Sequence, residues 1–175
     1  MPRYTFGVTV SSIQITPEPA GPSRELLKST PFLLKRLGAT AKERSLEAFA
    51  STKLNPQHYA VLSLLEEGTR ETQATVADAL GYDRSHLVGL LDELEEQELI
   101  ERRRDPGDRR RHLVSLTPVG KTTLGQLRTI SKQVERDFLA PLDPEQRRTL
   151  HTLLLELTAY HDPRCAGAPA PGRAP

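Results

Sequence analysis

At four places a short polar residue directly before a proline opens a stretch with helical apolar spacing: Thr30-Pro31, Asn55-Pro56, Thr117-Pro118 and Asp143-Pro144. A side-chain oxygen at that position satisfies open N–H groups of a helix start. Proline suits the first helical position because it has no N–H to satisfy. Gln146, three residues after Asp143, completes a capping-box pattern. Repeated starts of one kind commit residues 30–161 to a mainly helical fold.

The apolar spacing fills in the elements between these starts. It predicts helices over 31–51, 56–66, 73–80, 84–97, 118–139 and 144–160. The fourth has Leu87, Leu90, Leu91 and Leu94 at i, i+3, i+4 and i+7, a single buried stripe. The period then changes. Residues 99–104 (LIERRR) and 112–116 (HLVSL) read as short strands, joined by the turn-rich, basic segment DPGDRRR. Helix, short helix, helix, strand, basic loop, strand is the order of a winged helix-turn-helix. The predicted fold class is therefore mainly α with a small β-hairpin wing and flanking dimerisation helices.

Both ends differ from this middle. Residues 162–175 hold four Pro, two Gly and four Ala with no period, and read as a disordered tail. Residues 1–29 read as an N-terminal extension with a linker-like stretch at 16–23. Within it Tyr4, Phe6, Val8 and Val10 alternate, as a strand needing a partner or as an unstructured leader. The hydrophobic share of 37% is low enough that part of the chain is expected outside a packed core.

Charge is balanced in sum and sorted in place. The chain has 24 Lys+Arg and 23 Asp+Glu, a formal net charge of +1. Bulk coating of nucleic acid is thereby excluded, but a local basic patch is not. Residues 101–112 hold six arginines against three acids, a local charge of +3, whereas residues 84–98 hold one arginine and five acids. Opposite the leucine stripe of the fourth helix lie Ser85 and Gly89, flanked by His86 and Val88. Small and hydrogen-bonding residues thus gather at its N-terminal half, the half of a recognition helix that meets DNA. Arg84 beside the helix N-terminus is placed to hold a phosphate. Arg109, Arg110 and Arg111 in a narrow hairpin suit the minor groove, and Asp108 reads as a brace for a neighbouring arginine. The same features also fit a solvated basic hairpin, or a winged-helix protein-interaction module without direct DNA binding.

Other chemistry finds no support. A single cysteine, Cys165, excludes a disulfide framework and cysteine-rich metal sites. The five histidines form no metal-ligating pattern, and no phosphate loop or nucleophile–base pair is visible, so neither an enzyme nor a cofactor is expected. No apolar run spans a membrane and no signal peptide is visible, which points to the cytoplasm.

The stretches LNPQHYAVLSLLEEG and TQATVADALGYDRSHLVGLLDELEEQELIERRRDPGDRRRHLVSLTPVGK resemble MarR-type transcriptional regulators over about residues 31–160. The resemblance implies a homodimer whose first and last helices interleave and whose winged helix-turn-helix, about 55–117 here, binds double-stranded DNA. It implies repression from a pseudo-palindromic operator, released by a small lipophilic or phenolic ligand. Base and phosphate contacts carry over to Ser85, His86, Val88 and Gly89, and the wing-tip pattern to Asp108 and Arg110. Gly89 departs from the family, where a long polar or basic residue is common. The implied ligand pocket falls on Leu37, His58, Tyr59 and Leu62, which read equally well as core residues. The helices at about 31–51 and 118–160 carry the dimer role. Leu33, Leu34, Leu37, Leu150, Leu153, Leu154 and Leu157 are its interface candidates, since those apolar faces need a second subunit, or each other in a monomer, to cover them.

Overall fold

The computed structural model describes residues 21–68, 71–108 and 111–166. The chain divides into two compact units, Met1–Leu37 and Gly38–Pro175. The first, described from Gly21, holds the one-turn helix α1 (Arg24–Leu27) and the start of α2 (Thr30–Phe49), which continues past Leu37. Its Leu33, Leu34 and Leu37 are exposed. The second unit continues through a 3-10 turn (Ala50–Thr52), α3 (Pro56–Glu67), β1 (Glu71–Thr72), α4 (Gln73–Leu80) and α5 (Arg84–Glu96). It then runs through β2 (Ile100–Arg104), β3 (His112–Leu116), α6 (Pro118–Phe138) and α7 (Pro144–His161). A 3-10 turn at Pro163–Cys165 follows, where the sequence suggested only tail.

Three of the four anticipated helix starts are capped as read. Asn55, Thr117 and Asp143 each accept hydrogen bonds from the first turn, with proline just inside. The fourth is shifted by one residue. Thr30 lies within α2, and Ser29 takes the cap role, its Oγ accepting from Phe32 N at 3.4 Å. A serine hydroxyl one position earlier offers the same acceptor, so the helix gains a residue.

α3, α4 and α5 enclose the core with the sheet and α6. Val61, Leu62 and Leu65 of α3, Val76 and Ala77 of α4, and Leu87, Leu90, Leu91 and Leu94 of α5 are all buried. Phe49, Leu54, Leu99, Ile100, Val114, Leu124 and Leu127 complete it. Each leucine so buried contributes about 1.5–3 kcal/mol. The sheet has three antiparallel strands in the order β1-β3-β2, with Ile100 opposite Leu116 and Arg104 opposite His112. β1 was not anticipated. Its Glu71 and Thr72 pair with Val114 and Leu113, and two residues carry no alternation from which a strand can be read.

Two turns aim α5 and the wing. Gly81, at φ +65°, ends α4, while Tyr82 N donates to Ala77 O at 3.0 Å. At the end of α5 the same geometry falls on Glu98, at φ +58°. Leu99 N donates to Leu94 O and Glu98 N to Glu95 O, both at 2.9 Å, a Schellman turn without its usual glycine. Leu99 O then accepts from Thr117 N at 3.1 Å, and Thr117 Oγ1 donates to Glu98 O at 2.7 Å. The base of the wing is thereby tied to the start of α6.

That junction leaves no room at Gly120. A Cβ there would lie 1.9 Å from Leu99 O, a backbone atom. Gly120→Ala should therefore destabilise the protein by at least the ~1–3 kcal/mol typical of overpacking, read as a lower urea midpoint. A midpoint equal to wild type would show that α6 and the wing base are not in this contact.

Candidate nucleic-acid interface

The buried leucines of α5 turn Arg84, Ser85, His86, Val88 and Gly89 outward, and all five are exposed. Asp83 caps the helix, its Oδ1 accepting from Ser85 N at 2.8 Å and His86 N at 3.4 Å. The Ser85 hydroxyl also donates to it. This hydroxyl and the backbone N–H groups hold the Asp83 carboxyl below its ordinary range. Ser85 Oγ therefore keeps lone pairs for a ligand while its proton is used within the chain. The His86 ring lies edge-on to Tyr82 at 5.6 Å, and its Nε2 is 2.9 Å from Gln57 Nε2 of α3. Burial raises the Tyr82 hydroxyl's pKa.

The acids of α5 have partners away from that face. Arg102 of β2 reaches Asp92 at 2.7 Å and Glu95 with Nε at 2.8 Å. The Arg102 hydrogen bonds hold Glu95 below the usual glutamate range, against a smaller opposing effect of burial. Glu93 Oε2 lies 3.0 Å from Nε2 of the buried His58. His58 Nδ1 accepts from Asn55 N at 3.2 Å. Burial lowers the His58 pKa, and the Glu93 carboxylate works against that.

Among the wing arginines, Arg102 is thus an internal strut rather than an outward charge, a role the sequence count did not separate. Arg103 pairs with Glu101 at 2.9 Å. Arg111 pairs with Asp108 at 3.2 Å, the bracing geometry suggested for Asp108, and Arg111 N donates to Asp108 O at 2.9 Å. Arg109 and Arg110 lie outside the described residues. Arg84 and Arg111 share the walls of a cavity of about 410 Å³ with Thr72, Thr75, Leu87 and His112. The start of α4, the start of α5 and the turn end of the hairpin therefore meet around one hollow lined by two arginines. Oxygen-rich anions are what such a hollow accommodates.

Three residues of the implied ligand pocket, His58, Tyr59 and Leu62, lie on α3. Helical spacing puts His58 and Leu62 on the inner stripe of α3, where they are 1% and 0% exposed. Tyr59 is half-buried, its ring 6.0 Å from that of Phe49. None of the three lines the hollow at Arg84 and Arg111 or the cavities along α6 and α7, and Leu37 of the first unit is exposed. On α7, Leu150 is half-buried while Leu153, Leu154 and Leu157 are exposed. Among the described residues no cluster of three or more His, Cys, Asp or Glu is placed to hold a metal. No described helix is long and apolar enough to cross a membrane.

Known proteins share this fold. A family model described as MarR family matches residues 52–111. A protein of Thauera aromatica, named for transcriptional regulation of the hcr operon, is 32% identical over 127 residues, covering 72% of this chain and 76% of that relative. The structure of the transcriptional repressor CouR bound to a 23-mer DNA duplex superposes with a TM-score of 0.72 at 31% identity, covering 77% and 96% of the two chains. CouR of Rhodococcus jostii RHA1 bound to p-coumaroyl-CoA gives 0.69 at 29% identity, covering 81% and 97%.

At Gly89 the fold leaves open space on the outward side of α5. A Cβ there would meet nothing within 4 Å. Glycine inside a helix costs about 1 kcal/mol relative to alanine. Gly89→Ala should raise stability by about that amount, seen as a higher Tm, and should weaken DNA binding if DNA approaches the backbone there. A Tm that falls would show that the chain itself needs this glycine.

Proposed function

Because the chain belongs to the MarR family of DNA-binding transcriptional regulators, we propose that it represses transcription as a homodimer on a pseudo-palindromic operator. The observation that carries this reading is the hollow shared by Arg84 and Arg111 beside the exposed, polar first half of α5. In the proposed complex α5 enters the major groove. Ser85 and His86 meet base edges or phosphate, and the Val88 side chain, 41% exposed, suits a thymine methyl. Arg84 and Arg111 hold backbone phosphates, and Arg109 and Arg110 at the wing tip enter the flanking minor groove. Two recognition helices spaced about one DNA turn (~34 Å) would read the two half-sites. The CouR–DNA structure supports this reading, and CouR's being a repressor supports repression.

Pairing of two chains rests on apolar surface. α7 exposes Leu153, Leu154 and Leu157, and the first part of α2 exposes Leu33, Leu34 and Leu37. A second copy covers both faces in the proposed assembly, with Leu150 at its edge. Release by a small lipophilic or phenolic effector is part of the same proposal, and the p-coumaroyl-CoA complex of CouR supports it.

Replacing Arg109 and Arg110 with Ala should weaken binding to an operator duplex. The double variant should also flatten the salt dependence, each lost phosphate contact lowering the log–log slope by roughly 1. An unchanged affinity and slope would remove the wing from the interface. Sedimentation at micromolar concentration should give a dimer. A monomer there would overturn the assembly.

A further inference from the structure

His86 is the exposed α5 side chain whose ring is held from another helix. Gln57 lies in the first turn of α3, 29 positions earlier, and its Nε2 is 2.9 Å from His86 Nε2. That first turn is itself fixed. Asn55 Oδ1 accepts from Gln57 N at 2.9 Å and from His58 N at 3.1 Å, and His58 closes the capping box from inside the core. On its other side the His86 ring meets Tyr82 edge-on at 5.6 Å, and its backbone N–H is bound to Asp83. An exposed imidazole without such contacts would sample several rotamers and would lose that freedom on binding.

We infer that Gln57 is a positioning residue for DNA recognition: its carboxamide occupies His86 Nε2 and leaves Nδ1 as the ring atom presented to DNA. The inference rests on the DNA-binding reading above. The chemistry favours a carboxamide for this task. With its NH2 toward the ring it donates to Nε2, the neutral ring carries its proton on Nδ1, and the outward atom is a donor. With the amide turned, its oxygen accepts from Nε2–H and Nδ1 becomes an acceptor. The ring plane stays fixed in both cases, and the partner in the groove selects the tautomer. An aliphatic side chain would hold neither form.

The test uses the full chain, an operator duplex selected from genomic fragments, and a random duplex of equal length. Gln57→Met should lower operator affinity by about 2- to 10-fold, the effect of ordering one side chain, and leave random-duplex affinity unchanged. In a His86→Ala background it should have no further effect. In the free protein, imidazole 15N shifts should change at His86 and not at His58, a readout independent of DNA. Additive losses in the double variant, equal losses on both duplexes, or unchanged His86 shifts would each overturn the inference. A wild-type chain that binds neither duplex would instead overturn the DNA-binding reading beneath it, whatever the ring shifts show.

Discussion

Burial of one leucine stripe governs everything that faces outward. Leu87, Leu90, Leu91 and Leu94 are at most 4% exposed, packed against α3, α4 and the sheet. A helix turns by about 100° per residue, so fixing these four fixes the remainder. Ser85, His86, Val88 and Gly89 have no alternative but the surface. Asp92, Glu93 and Glu95 are carried round to Arg102 and His58. The outward face of α5 is therefore a by-product of core packing.

Charge is divided by the same geometry. A basic hairpin invites the idea that all its arginines serve a polyanion. Arg102 does not, since its side chain is 21% exposed and its guanidinium holds two carboxylates of α5. It neutralises two carboxylates of α5 and ties the wing to the helix. Arg111 is braced by Asp108 but still faces the cavity it shares with Arg84. Arginine in this hairpin has two separate uses, one inward at the root and one outward nearer the turn.

What could be read from the residues follows from the range of the interactions. Cap–proline pairs and i, i+3, i+4 spacing act within a few residues, so the helices, their starts and the stripe of α5 were legible. The Ser29 cap differs from the Thr30 reading because two adjacent hydroxyls offer the same local signal. The pairing of β1 with β3, the Arg102 strut and the Gln57–His86 contact join residues far apart in the chain. No local pattern encodes them. The turn at Glu98 was hidden for another reason: its left-handed backbone usually announces itself by glycine, and here a charged residue bears the strain. His58 reads as core or as pocket from spacing alone, and in the fold its side chain is buried.

The contact between Gly120 and Leu99 has a mechanical meaning. α6 has 21 residues, about 30 Å at 1.5 Å per residue. Its first turn is bolted to the strand base through Thr117 and admits no side chain between them. Such a joint lacks a hinge. The strand base and the first turn of α6 therefore turn together or not at all.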